Sequence, residues 1–179
     1  MEGNLDVRGA ILLYTLAGLM ITFAGFAAVL LAIRQAVGGH LSSLDRFLAK
    51  TVLINLFILT WGAVLPPLLM LYGLGEDKVW KIAAVLFALP MLAFLLTYSH
   101  RRQKAVGQRP ARGAHAVFVV GGSAVVVAML VYVLGGFEHS AAAYISAVVL
   151  DFFTLAYAFV TALDIILAHS QPPPADLTK

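Results

Sequence analysis

Hydrophobic residues fall in five long blocks separated by short polar breaks. Cutting the chain at its charged and histidine residues leaves uncharged runs at 9–33, 51–75, 82–99 and 116–137, and a fifth at 140–168 interrupted by Asp151 and Asp164. A helix needs about 20 predominantly apolar residues to cross the hydrocarbon core of a bilayer, within a range of about 17–25. All five runs are long enough; the third is the shortest, at 18 residues, with Trp80 and Tyr98 at its ends where amphipathic rings prefer the interface. The runs are apolar all round, so they lack the alternation of a membrane-barrel strand. Backbone exposed to lipid must then bond within its own segment, which leaves continuous helices. The pattern predicts an all-α integral membrane protein, a bundle of five transmembrane helices. Residues 1–170 form one domain and 171–179 an exposed Pro-rich tail.

The breaks support this division. Gly38-Gly39 interrupts the chain after the first helix. Ser42 or Ser43 can cap the second, with Asp45 in its first turn, where the helix dipole favours a negative charge. The second helix is then expected from about Leu44 to about Tyr72, longer than a bilayer requires. Pro66-Pro67 and Pro90 remove backbone donors inside the second and third helices and free carbonyls upstream. Neighbouring helices can satisfy such carbonyls, or the kinks can line a cavity. The first run is longer than the apolar region of a signal peptide and follows Glu2 and Asp6, so it reads as a retained helix.

Composition agrees with a lipid solvent. The 179 residues are 61% hydrophobic and 12% charged, with a mean hydropathy of +0.94, against roughly 45–50% and 25% in soluble domains. The absence of cysteine excludes thiolate catalysis, iron–sulfur clusters and cysteine zinc sites. The loops hold no soluble domain. Lys and Arg are unevenly placed: with the N-terminus outside, nine lie on the cytoplasmic side and three outside. The positive-inside rule therefore predicts an outer N-terminus and a cytoplasmic C-terminus. The basic third loop, Arg101, Arg102, Lys104, Arg109 and Arg112, is expected to set topology and contact anionic lipid rather than nucleic acid. Compactness and short loops suggest a bacterial inner membrane.

Polar residues inside the runs are the candidates for function. Asp151 falls near the middle of the fifth helix, where a charge costs about 2.5–3.5 kcal/mol on insertion scales. Counting inward from the helix ends places Thr22, Thr60 and Ser123 at similar depth, with Thr154 one turn away, as a polar cluster or transport path. An acid there suits a proton relay or a cation site; the structural alternative is a neutral Asp bonded across helices. Asp164 lies near the inner helix end, within reach of Lys50 or Arg34, as a rim charge pair that is either structural or an exit site. Gly18, Thr22 and Gly25 form a small-residue face suited to close helix packing, within the bundle or between subunits.

Tyr144 shares a helix face with Asp151, whereas Asp164 falls on another, with Tyr157 and Thr161. The five histidines, His40, His100, His115, His139 and His169, stand at or beyond helix ends without ligand spacing, so neither a buried haem nor a metal site is expected. No phosphate loop or nucleophile elbow occurs. No cofactor and no enzymatic activity are expected. The pattern favours an oligomeric ion channel or small-solute transporter, homo-oligomeric in a bilayer with anionic lipids on the cytoplasmic side. A non-enzymatic accessory or scaffold subunit of a larger membrane complex is the alternative, and a lipid- or quinone-binding protein with a groove at the proline kinks is a third.

Overall fold

In the computed structural model the described residues are 9–36, 42–107, 112–135 and 140–168, with side chains described except at 34, 112–118, 140, 162 and 165–168. They form five helices: α1 (Ala10–Ala36), α2 (Ser43–Met70), α3 (Glu76–Val106), α4 (Arg112–Val133) and α5 (Ser140–Ala168). Four of them are long and apolar enough to cross a membrane; in α4 the apolar stretch among the described residues is Val119–Val133. The N-terminal residues 1–8, Gly38-Gly39 and the expected tail 171–179 lie outside the described residues.

The start of α2 and both ends of α3 have local causes. Ser42 caps α2: its hydroxyl accepts from the Asp45 amide at 3.1 Å while the Asp45 carboxylate accepts from the Ser42 amide at 3.0 Å. This reciprocal box satisfies two backbone donors that a helix start leaves free. The third helix is 31 residues long, well beyond the uncharged run at 82–99. Charge marks where a segment can leave lipid, not where its hydrogen bonding stops. Glu76 and Asp77 sit in the first turn of α3, and Gly107, at φ 70°, ends it with an amide bonded to the Gln103 carbonyl. Only glycine adopts that left-handed cap without a steric penalty.

Helix α2 packs on α1, α3 and α5, α4 packs on α3 and α5, and α5 touches all four other helices. The antiparallel seam of α2 with α3 pairs Phe47 with Tyr98, rings 5.7 Å apart, near one end and Gly62 with Phe87 toward the other. The main core holds Leu13, Met20, Leu56, Leu59, Trp80, Phe87, Met129, Tyr144 and Leu155. A smaller cluster of Phe47, Phe94 and Tyr98 closes one end of the α2–α3 seam. The outer faces remain apolar: Ile11, Ile21, Phe57, Leu96, Val120 and Phe153 are all more than 60% exposed. Contiguous apolar exposure of this kind is foreign to a soluble monomer and suited to lipid.

Candidate functional site

The centre of the bundle holds two buried polar side chains that face each other across the α2–α5 seam. Asp151 and Asn55 are each 1% exposed, and the Asn55 amide lies beside the Asp151 carboxyl. The contact is loose, since neither Asn55 amide atom nor Asp151 Oδ2 reaches a partner at good hydrogen-bond geometry within the protein. Polar groups removed from water are normally paired, and one left open loses much of its solvation free energy. The acid and the amide thus place uncommitted lone pairs and protons deep in an apolar bundle.

About two turns along the same seam, the buried hydroxyl is engaged. The Tyr144 hydroxyl donates to the Gly62 carbonyl at 2.7 Å. Gly62 precedes Pro66 by four residues, so proline has removed the amide that would ordinarily donate to this carbonyl. Tyr144 replaces that donor from another helix. Its ring is held by Trp80 and Phe87, at centroid distances of 5.4 and 6.1 Å. Glycine at 62 lets α2 pack closely on α3: a Cβ there would stand 2.5 Å from the Phe87 ring. The expectation that neighbouring helices satisfy proline-freed carbonyls holds at Pro66, which is buried with Pro67 in a helix that continues through both.

Toward the opposite end of α2, buried Thr51 lies four residues from Asn55, one turn away on the same face. Thr51 also lines a cleft of about 480 Å³ between α2 and α3, whose wall carries Arg46, Lys50, Arg101 and Lys104 together with Ser43, Phe47 and Ala105. Polar side chains thus run from a basic cleft to the buried pair: Thr51, Asn55, Asp151.

The sequence candidates are distributed differently. The hydroxyls of Thr22, Thr60 and Thr154 donate to carbonyls four residues back in their own helices, those of Gly18, Leu56 and Leu150. Thr22 is exposed on the outer face of α1 and Ser123 is half-buried on α4. The polar neighbour of Asp151 is therefore Asn55, five residues from the expected Thr60. Equal-depth counting assumed helices with level ends, whereas the cap at Ser42 and the Tyr144–Gly62 contact set the register of α2. Cutting the sequence at charges also passed over Asn55, the one asparagine within the uncharged runs, and that was the available signal.

Asp151 and Tyr144 share the inner face of α5, while Asp164 is exposed, as their spacing predicts. Among the described residues Lys50 and Asp164 form no ion pair, and Lys50 instead lines the basic cleft; the Arg34 side chain lies outside the described residues. Among the described residues nothing lies within 4 Å of a Cβ placed at Gly18 or Gly25. Gly121 and Gly122 are true contact points, against Thr154 and against Leu95 and Met91. Of the basic loop, Arg101 and Lys104 enter the cleft wall; Arg102 is half-buried beside them, Arg109 lies outside the described residues, and the Arg112 side chain is not described. Among the described residues no three His, Asp or Glu side chains gather as a metal site would need.

The sequence matches no protein-family model, no curated protein and no solved structure.

Proposed function

We propose that this is a five-span membrane protein that moves a proton across the bilayer through Asp151, assembled as a homo-oligomer with its N-terminus outside and its C-terminus in the cytoplasm of a bacterial cell. The observation that carries this reading is the open Asn55–Asp151 pair one turn from Thr51 and the basic cleft. Ionisable groups in membrane spans are costly and commonly mark ion or proton pathways. A single carboxyl can take up and release a proton by itself, whereas one carboxyl and one amide supply few of the oxygen ligands that a desolvated metal cation needs, which favours a proton over sodium or potassium as the species transferred. The orientation follows from the excess of Lys and Arg on the Arg101 side. The fifth span is α4, which falls largely within the run at 116–137 that lacks charge and histidine.

Proton flux into liposomes containing the purified protein tests this. Asp151→Asn preserves shape and removes the titratable group, so flux is expected to fall to the level of protein-free liposomes while thermal stability is retained. Asp164→Asn, on the exposed face of α5, is expected to leave flux intact. Unchanged flux in Asp151→Asn removes the acid from the mechanism.

A second reading, an accessory subunit of a membrane complex, is favoured by the open stripe of Gly18, Thr22 and Gly25. Wild-type liposomes with no flux above the protein-free level, combined with co-purification of a membrane partner, select it.

A further inference from the structure

We propose that the cleft between the start of α2 and the end of α3 binds a phosphate-bearing anion, either free in solution or carried as a lipid headgroup. Four cationic side chains, Arg46, Lys50, Arg101 and Lys104, line it, and no acidic residue does. Its volume of about 480 Å³ lies in the range of small-molecule sites, roughly 300–1,000 Å³. The cations are gathered by secondary structure: Arg46 and Lys50 stand one turn apart on α2, Arg101 and Lys104 one turn apart on α3. The antiparallel seam, held by the Phe47–Tyr98 ring contact, turns the two rows toward each other. Like charges so placed repel, and an anion between them removes the repulsion.

The site is also prearranged. The Arg101 guanidinium lies 4.5 Å from the Phe94 ring centroid and donates through Nη2 to the Phe94 carbonyl at 3.1 Å. Its Nε, though buried, has no hydrogen-bond partner. Among the described residues none of the four cations forms an ion pair. The nearby Asp45 carboxylate is turned to the Ser42 amide in the helix cap. Ser43, the first residue of α2, lines the same cleft, so the positive end of the helix dipole adds to the field. Phosphate matches this wall better than a carboxylate, because its three terminal oxygens can accept from an Arg fork and from two ammonium groups at once. The lipid form rests on the membrane reading of the preceding section; the free form does not.

The test uses the full-length protein and two probes. Inorganic phosphate is titrated against the protein in neutral detergent, with thermal stabilisation as the readout. Phosphatidic acid is supplied as a minor component of phosphatidylcholine nanodiscs, and its retention is read by native mass spectrometry. Lys50→Ala with Lys104→Ala, both exposed and outside the core, is expected to weaken binding by about tenfold or more, the order of losing a charge-assisted hydrogen bond. Lys78→Ala with Lys81→Ala, the same charge change elsewhere, is expected to leave it unchanged. Stabilisation by inorganic phosphate without lipid retention assigns a soluble anion; retained phosphatidic acid assigns a headgroup. Binding of neither probe, or equal loss in both double variants, overturns the proposal. The readout is binding, so either result stands apart from the flux of Asp151→Asn.

Discussion

Tyr144 and Pro66 are coupled through one carbonyl, and that coupling can be measured. Tyr144→Phe removes the donor to Gly62 and leaves the buried carbonyl without its 2.7 Å partner. The expected cost is about 1–2 kcal/mol, a lost hydrogen bond plus an unsatisfied acceptor. Pro66→Ala returns an amide to the helix, so the same Tyr144→Phe change in that background is expected to cost markedly less. Thermal unfolding of the four proteins in detergent gives the cycle; equal costs in both backgrounds would separate the tyrosine from the proline. Proline at position 66 and tyrosine at 144 were each visible in the sequence. The bond from Tyr144 to the Gly62 carbonyl that Pro66 frees, across 82 positions, was not, because it depends on the register of α2 against α5. The same register brings Asn55 to Asp151, which is why the acid was legible as a candidate while its partner was not.

At the scale of the element, helices end where local chemistry permits and not where hydropathy changes. The start of α2 was legible because a capping box is a sequence-local device: Ser42 and Asp45 need only each other. Ser42→Ala should therefore destabilise the protein by about 1 kcal/mol, the usual worth of an N-cap. Ser43→Ala, one residue on and exposed, should change little. A thermal melt of each variant distinguishes the two serines, and equal melting points would place the helix start elsewhere. The third helix was underestimated for the opposite reason. Its flanks are charged on both sides, and an apolar-run criterion cannot follow a helix once it leaves lipid for the interface. Those extra turns matter, because they carry Arg101 and Lys104 to the level of Arg46 and Lys50 and so build the cleft. Charge excess in this loop was readable; a concave site was not.

For the whole molecule, the number of apolar blocks and the helical class follow from composition and period alone, whereas the use of each outer face depends on what surrounds the bundle. Gly18 and Gly121 make the contrast concrete. A Cβ at Gly121 would meet the Thr154 side chain at 2.5 Å, while at Gly18 nothing lies within 4 Å. Enlarging Gly121 acts on the fold itself, since overpacking a tight helix contact costs about 1–3 kcal/mol. Among the described residues nothing lies within 4 Å of a Cβ at Gly18 or Gly25, so enlarging them is expected to act mainly on contacts outside the described bundle. In lipid, small residues on an outer face promote association by letting helix backbones approach. Gly18→Leu with Gly25→Leu is therefore expected to leave the melting temperature of the detergent-dispersed monomer unchanged while abolishing self-association, read as subunit number by native mass spectrometry. Oligomers that persist in that double variant would move the interface to another of the exposed apolar faces, such as those of Phe57 or Phe153, and leave the stripe on α1 facing lipid.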